Sequence, residues 1–422
     1  MSLRWLYENV ELPLVCVLGD MELAGVRLDV PYFEALAATM EAASVEDYAK
    51  VVALVGYEIN TRSYPQKIRL FYDELEETVK RRTKNGNSSV DKYAMGQFER
   101  QDMVRAIQNH METVDALSDF VYKLPRLLHP DGRLHGSFNQ AGTWEEAGGD
   151  HKASPATGRL SSSSPDMQQI ATRGRWGPSI RRGFVPEPGY LFVGGDVGQE
   201  ELRIAALLAG EERLLEIFRD PSRDVHMETV EFLGLPQTGS GRQVAKNCNY
   251  GLIYKVAAPK LHAMLLEEDP ELPYTVGDVS DMRKRWLARY PAFATWWGSV
   301  ITGCRVSLYV ETWFGRRRYL PDIVRPNRTL KAAAERESIN TVVQGTGADV
   351  VKLVLRRVWD ALQGHDARII LSSHDDIVVE AAVSEVAYVV DVIQHMTDGL
   401  LPVTLPVEAK VGPNWADMKE VS

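Results

Sequence analysis

At 422 residues and 45% hydrophobic, the chain can bury more than one core, so two or three subdomains are expected and a tail or linker is excluded. Its formal net charge of -10 argues against a general nucleic-acid coat, whose affinity would come from Lys and Arg on phosphates. No stretch approaches the ~20 apolar residues of a membrane span, and Cys16, Cys248 and Cys304 show no Cys-x2-Cys spacing, so a soluble intracellular protein with reduced thiols is expected, with neither disulfides nor a zinc site.

Residues 1–30 read as a short apolar segment ending in the turn-like Gly25-Val26-Arg27-Leu28-Asp29, with Pro31 opening the next segment. A helical region then runs to about Leu128. Two polar interruptions fall at Asn60 to Phe71 and Lys80 to Asp91. The second sets Asn85-Gly86-Asn87-Ser88-Ser89 beside four cations, which suits a grip on a phosphate backbone and equally suits a plain solvated loop. Basic residues cluster in three places: Lys80, Arg81, Arg82 and Lys84; Arg173, Arg175, Arg181 and Arg182; Arg316, Arg317 and Arg318 with Arg325, Arg328 and Lys331. In an acidic protein they suggest one polarised basic channel.

From His129 the pattern changes. Arg133 to Asn139 reads as a strand, Gly142 to Ser154 as a Gly-rich acidic loop, and Thr157-Gly158-Arg159-Leu160-Ser161-Ser162 comes next. Tyr190 to Val193 is a short strand that Gly194-Gly195 is expected to break, leaving Asp196 at its end before a helix from Glu200 to Leu208. A carboxylate there is a helix cap as often as a metal ligand. In Gly241 to Lys255, Arg242, Lys246, Tyr250 and Tyr254 recur every fourth residue and share one helix face. The first three span about 12 Å, roughly the length of a nucleoside triphosphate. Further helices are expected over Leu261 to Pro291 and Ala292 to Val300, then a hairpin-like run ending at Gly315 to Pro321, then a long helix carrying Arg336, Asn340, Gln344 and Lys352. Arg368 to Glu380 reads as a hairpin with His374, Asp375 and Asp376 at its tip.

In this order the segments resemble the DNA polymerases of family A. TGRLSSSSPDMQQI resembles the family's TGRLSS-x2-PNLQNI, DVGQEELR its motif A, DYSQIELR, and RQVAKNCNYGLIY its motif B, R-x3-K-x3-F-G-x2-Y. ERESINTVVQGTGADVVK is similar to ER-x3-N-x3-QGTAAD-x2-K, HDD to motif C, HDE, and the segment ending in Val411-Gly412-x-Asn414-Trp415 to the closing G-x-N-W. The resemblance covers nearly the whole chain. Departures fall at Val197, Gly198 and Glu200 in motif A, at Tyr250 and Lys255, and at Asp376 for the usual Glu; position 200 is the hardest to reconcile.

The resemblance implies an α+β right-hand fold with an antiparallel-sheet palm, helical fingers and a helical thumb. The partition expected is 1–30 at the palm edge, 31–128 thumb, 129–203 palm, 204–335 fingers and 336–422 palm. It implies template-directed addition of dNTPs to a primer 3′-OH by nucleotidyl transfer, with two Mg²⁺ ions, for which Mn²⁺ substitutes. Asp196, Asp375 and the backbone carbonyl of Val197 would hold metal, with Lys246 as proton donor to the leaving pyrophosphate. Gln199, Glu201, His226, Arg242, Lys246, Tyr250 and Tyr254 would bind the nucleotide, Glu201 by crowding the sugar 2′ position. Arg159, Gln168, Arg336, Asn340, Gln344 and His374 would contact primer-template DNA. Tyr250 in place of Phe implies acceptance of dideoxynucleotides. A polymerase module without 3′-5′ or 5′-3′ exonuclease domains is expected, monomeric, in the cytoplasm of a bacterial or phage-infected cell, served by a separate exonuclease or processivity factor. The stretch from Met111 to Asp119 lacks the Arg and Lys the family carries there, which implies a weaker grip on duplex. A single-subunit RNA polymerase shares the two aspartates and the Arg/Lys/Tyr helix, but Glu201 and TGRLSS speak against it. A catalytically weak primer-template binding module is the other alternative, raised by Val197, Gly198 and Glu200 and opposed by the retained carboxylates.

Overall fold

Element boundaries follow the chain's own caps and breakers. In the computed structural model, which describes all residues except 80, 84, 141–154, 270–271, 374 and 422, the short apolar segment expected at the N-terminus is helical from residue 3 to residue 24. Short turns over Leu3–Leu6 and Tyr7–Glu11 lead into α1 (Leu12–Ala24), which buries Leu14, Val17, Leu18 and Met21. Gly25 stops it at φ +57, where a Cβ would lie 2.6 Å from the Leu134 carbonyl oxygen. The chain then forms β1 (Val26–Leu28) and α2 (Val30–Val55). Asp29 caps α2 by accepting from the Tyr32 N–H at 3.0 Å, with Pro31 in its first turn. α3 (Gln101–Ala116) packs back along α2.

Between them a separate small core forms from residues such as Val51, Ile59, Leu70, Phe71, Phe98, Met103 and Ile107. The loop from Lys80 to Asp91, which suited a phosphate grip and a plain solvated loop equally, is a tight turn in its described residues. Thr83 N–H donates to the Asn87 carbonyl at 2.7 Å, and Arg81 pairs with Asp91 at 3.0 Å. The single strand expected over Arg133 to Asn139 is two: β2 (Arg133–Leu134) joins β1 and β3 (Phe184–Val185), while Ser137–Asn139 pairs with Ser161–Ser163.

The main sheet begins with β4 (Tyr190–Val197), which runs straight through Gly194-Gly195. The expected break does not occur, because these glycines make room for neighbours. A Cβ on Gly195 would sit 2.4 Å from Ile393 Cγ2, and one on Gly194 2.7 Å from Met418 Cε. Next come helices α4 (Glu200–Ala209), α5 (Val225–Leu233), α6 (Gly239–Ile253), α7 (Ala258–Glu268), α8 (Val276–Arg289) and α9 (Ala292–Ser307). The single helix expected over Leu261 to Pro291 is thus two. Pro273 lies in the gap, and the reciprocal Thr275–Asp278 capping box restarts the helix as α8.

After the hairpin of Tyr309–Glu311 and Arg317–Tyr319 comes the 34-residue α10 (Arg328–Ala361), capped by Asn327 and packed on α1, α4 and α9. β5 (Ala367–Ser373), β6 (Asp376–Ala382), α11 (Val386–Gln394), β7 (Val407–Gly412) and β8 (Lys419–Glu420) complete an antiparallel sheet in the order β8-β7-β4-β6-β5. The fold is α+β, one large core beneath this sheet and the α4–α10 helices, with the small core apart. Among the described residues no helix is long and apolar enough to cross a membrane.

Candidate active site

Strand register sets the carboxylates side by side. Asp196 near the end of β4 lies opposite Asp376 on β6 and Glu408 on β7, and directly opposed residues project to the same face. Asp375 precedes β6 in the hairpin turn. Two open cavities meet at this end of the sheet, and Asp196 and Asp375 line both. One, of about 510 Å³, is also lined by Gln168, Arg181, Asp376 and Lys410. The other, of about 670 Å³, is lined by Gln199, His226, Arg242, Lys246 and Tyr250.

Electrostatically the carboxylates crowd one another. Asp196 titrates above the ordinary carboxylate range, through burial first and the Asp375 charge second. Asp376 is pushed up to about 7 by desolvation, with Asp196 adding to it and Arg181 opposing. A divalent cation relieves this repulsion, and carboxylate oxygens suit a hard ion such as Mg²⁺. Among the described residues no group of three or more His, Cys, Asp and Glu is placed to hold a metal ion by itself. Val197 buries its side chain in the core, so only its backbone is left for a ligand.

Thr238 caps α6 through the Gly241 N–H at 3.2 Å. The helix presents Arg242, Lys246 and Tyr250 to the larger cavity, as their spacing predicts. Arg242 is already held by Asp224, Nη2 to Oδ2 at 2.8 Å, while Asp224 also caps α5. Lys246 Nζ lies 6.0 Å from the Tyr250 ring centroid. Tyr254 leaves this row and turns to Glu201, donating its hydroxyl to Oε2. The other oxygen of Glu201 accepts from Arg159, so Arg159, Glu201 and Tyr254 form one cluster. Burial raises the Tyr250 and Tyr254 hydroxyls well above their ordinary values. Gln199 opens α4 in the left-handed region at φ +57.

Gln168 donates to the Ser372 carbonyl at 3.1 Å, beside the motif C hairpin. Arg336, Asn340 and Gln344 succeed one another along α10 at i+4 spacing; Arg336 is exposed and the other two half-buried. Asn340 Oδ1 is a buried acceptor with no protein partner. His374 lies outside the described residues, as does the acidic loop from Gly142 to Ser154.

Two motif A departures have local explanations. A Cβ at Gly198 would meet Pro406 Cγ at 3.3 Å. Glu200 is wholly buried, its Oε1 without a partner, and its carboxyl faces α10 where Gly347 leaves room: a Cβ there would lie 2.9 Å from Glu200 Oε2. Burial, then the charges of Asp375 and Glu201, push Glu200 up to about 8, so it is buried as the neutral acid.

Many described arginines of the three basic clusters are held in ion pairs or backbone hydrogen bonds. Arg316 is half-buried between Asp349, at 2.6 Å, and Glu11; Arg317, Arg318 and Arg325 pair with Glu311, Glu337 and Asp322. Arg175 pairs with Asp47 and Arg182 with Asp417, while Arg181 donates to the Ile170 carbonyl at 2.8 Å and stacks over Trp415. These cations hold elements together. Sequence reasoning also missed Lys410 and Glu408, which only the register of β7 against β4 brings beside Asp196.

Comparison with known proteins agrees with this arrangement. The family model described as DNA polymerase family A matches residues 30–417. The chain is 35% identical over 427 residues to the thermostable DNA polymerase I of Thermus aquaticus, covering 99% of this chain and 49% of that protein. It is 34% identical over 425 residues to DNA polymerase I of Pseudomonas aeruginosa, covering 98% of this chain and 44% of that protein. It therefore spans about half the length of the curated relatives it matches. Among solved structures it is similar to the POL domain of Pol1 from M. smegmatis, in complex with DNA primer-template and dNTP, at a TM-score of 0.87 and 27% identity, over 98% of this chain and 71% of that one. The chain has the α+β polymerase fold and belongs to DNA polymerase family A.

Proposed function

We propose that this chain is a template-directed DNA polymerase that extends a primer 3′-OH with dNTPs. The observation that carries the reading is the meeting of two cavities at Asp196 and Asp375, with the cations of α6 lining one of them. A nucleoside triphosphate in the larger cavity would set its phosphates against Lys246, His226 and Arg242 and its base near Tyr250. Arg242 would exchange or share its Asp224 partner with phosphate. Glu201, held by Arg159 and Tyr254, would fill the space of a ribose 2′-hydroxyl, giving preference for deoxynucleotides. The primer terminus would approach through the other cavity, past Gln168. Asn340 and Gln344 would donate their side-chain amides to the nascent pair, with Arg159, in the minor groove, where acceptors common to all base pairs lie. Arg336 and His374 would contact the DNA strands.

Family A polymerases are in general metal-dependent. Asp196, Asp375 and the Val197 carbonyl would hold two Mg²⁺ ions, which when bound lower the pKa of the attacking 3′-hydroxyl and neutralise the leaving oxygens. The 3′ oxygen bonds to the α-phosphorus as the bridge to pyrophosphate breaks, and Lys246 would give the leaving oxygen its proton. We infer the partition 31–128 thumb, 204–335 fingers and the remainder palm, supported by the separate small core within residues 51–107.

The test is extension of a labelled primer on a DNA template with Mg²⁺ and dNTPs, beside Asp375→Ala and a lane with NTPs. Extension by dNTPs that the substitution abolishes is expected. Preferential use of NTPs would favour an RNA polymerase, and binding without extension would favour a primer-template binding module.

A further inference from the structure

A buried polar cluster behind the larger cavity backs His226, and its other members, Asn249, Thr229 and Trp286, have no part in the chemistry above. Asn249 faces inward from α6, 1% exposed, between α5 and α8. Its Oδ1 lies 2.8 Å from Trp286 Nε1. Its Nδ2 lies 2.9 Å from Thr229 Oγ1 and 3.1 Å from His226 Nδ1.

The hydrogen positions are set by what each group can do. An indole nitrogen only donates, so the Asn249 atom facing Trp286 is the carbonyl oxygen, and the amide nitrogen must face His226 and Thr229. Thr229 has one hydroxyl proton, which goes to the Val225 carbonyl at 2.7 Å. That leaves a lone pair for the Asn249 amide, and the longer 3.2 Å approach of Oγ1 to Oδ1 carries no proton. His226 Nδ1 therefore accepts, and in a neutral ring the proton is on Nε2. Burial keeps the ring neutral, its pKa held down to about 4. His226 lines the cavity, and among the described residues no hydrogen bond engages Nε2.

We propose that Asn249 is a positioning residue: it fixes His226 as the Nε2–H tautomer, so that a neutral imidazole presents a donor to a phosphate oxygen of the incoming nucleotide. The inference rests on the reading of this cavity as a nucleoside triphosphate site. With the other tautomer a lone pair would face phosphate, acceptor against acceptor. Trp286 on α8 thus sets the orientation of Asn249, and Asn249 sets the proton on His226. The charged and titratable groups facing the ring are Asp224, Arg242 and Lys246, with the Tyr250 ring 6.0 Å away.

Two measurements test this. The first is the ¹⁵N signature of His226 in the wild-type protein labelled at histidine, assigned with His226→Gln, before and after adding dNTP to the primer-template complex. A pyridine-like Nδ1 and a protonated Nε2, with Nε2 shifting on dNTP addition, are expected. The second is the KM for dNTP of Asn249→Asp relative to wild type across about pH 6 to about pH 9, a range well above the wild-type His226 pKa. The carboxylate of the variant demands a proton on Nδ1. At low pH the doubly protonated ring still donates, and KM stays near wild type. As pH rises and the ring loses its Nε2 proton, KM rises about tenfold, the loss of one hydrogen bond to a charged group, with kcat little changed. A protonated Nδ1 in wild type with normal dNTP binding overturns the inference alone. The expected tautomer with a pH-independent KM ratio overturns the positioning role. Failure of wild type to bind dNTP overturns the polymerase reading and the inference with it.

Discussion

At the scale of single residues, Glu200 is the departure from the family pattern that the structure makes most testable. Its folded pKa of about 8 stands above the ordinary 4.5. Below the lower value both folded and unfolded chains hold the proton and no penalty arises. Between the two values the folded chain keeps a proton the unfolded chain releases, so stability falls as pH rises, by up to about 1.4 kcal/mol per pH unit, and levels above the folded value. Glu200→Gln removes this slope. Calorimetry of both proteins should show the Tm of the variant gaining on wild type from pH 5 to pH 8; a constant offset would mean that Glu200 does not hold its proton. Tyr250 offers a second test on the nucleotide side. Tyr250→Phe is expected to raise discrimination against ddNTPs over dNTPs by tenfold or more, read as the ratio of kcat/KM values. Both positions stand out in the sequence as departures. That Glu200 is buried as a neutral acid does not, because nothing near it in the chain says it will face α10.

At the scale of elements, the close approach of α4 to α10 at Glu200 and Gly347 couples two helices that stand more than a hundred residues apart. Gly347→Ala adds helix propensity worth about 1 kcal/mol. It also adds a Cβ 2.9 Å from a boxed-in carboxylate oxygen, an overpacking that costs about 1–3 kcal/mol. With Glu200 in place the sum is expected to be neutral or destabilising, and in a Glu200→Ala background the propensity gain alone should remain. A double-mutant cycle by urea denaturation reads the coupling, expected at about 1–2 kcal/mol; additive effects would refute the contact. Gly195→Ala in β4 has no such relief, since Ile393 Cγ2 would be 2.4 Å away. It should cost about 1–3 kcal/mol and disturb the strand that carries Asp196. Most elements were legible from caps and periodicity, as with Asp29-x-Pro31 before α2 or the β5–β6 hairpin. The errors came where packing overrode local preference: the Gly-Gly pair accommodated in a strand, and the run from Arg133 to Asn139 divided between two sheets.

At the scale of the molecule, buried charge ties distant parts of the chain into one body. Arg316 bridges Glu11 and Asp349, and Lys352 reaches Glu11 at 2.8 Å, joining the N-terminal helices, the hairpin after α9 and the long helix α10. Asp349 and Lys352 are fully buried, so removing one member strands another. Glu11→Ala is expected to destabilise the protein by about 3 kcal/mol, seen as a lower midpoint in urea. Its effect should change little with salt, in contrast to exposed pairs such as Lys50 with Glu46. A loss confined to low ionic strength would show the network to be solvated.

The sequence by itself determined the family, the order of its motifs and the residue types of the candidate site. Phosphate, metal and base edges demand particular side chains, and these recur at spacings the chain displays directly. Tertiary structure alone decided which of those side chains meet. The register of β4 against β6 and β7 brings Asp376, Glu408 and Lys410 to Asp196. The packing of α5, α6 and α8 closes the relay from Trp286 through Asn249 to His226, and carboxylates far away in the chain claim Arg175, Arg182 and Arg316. The physical reason is that charge neutralisation, desolvation and proton placement depend on distance in space, which spacing along a chain encodes only within one helix or one strand.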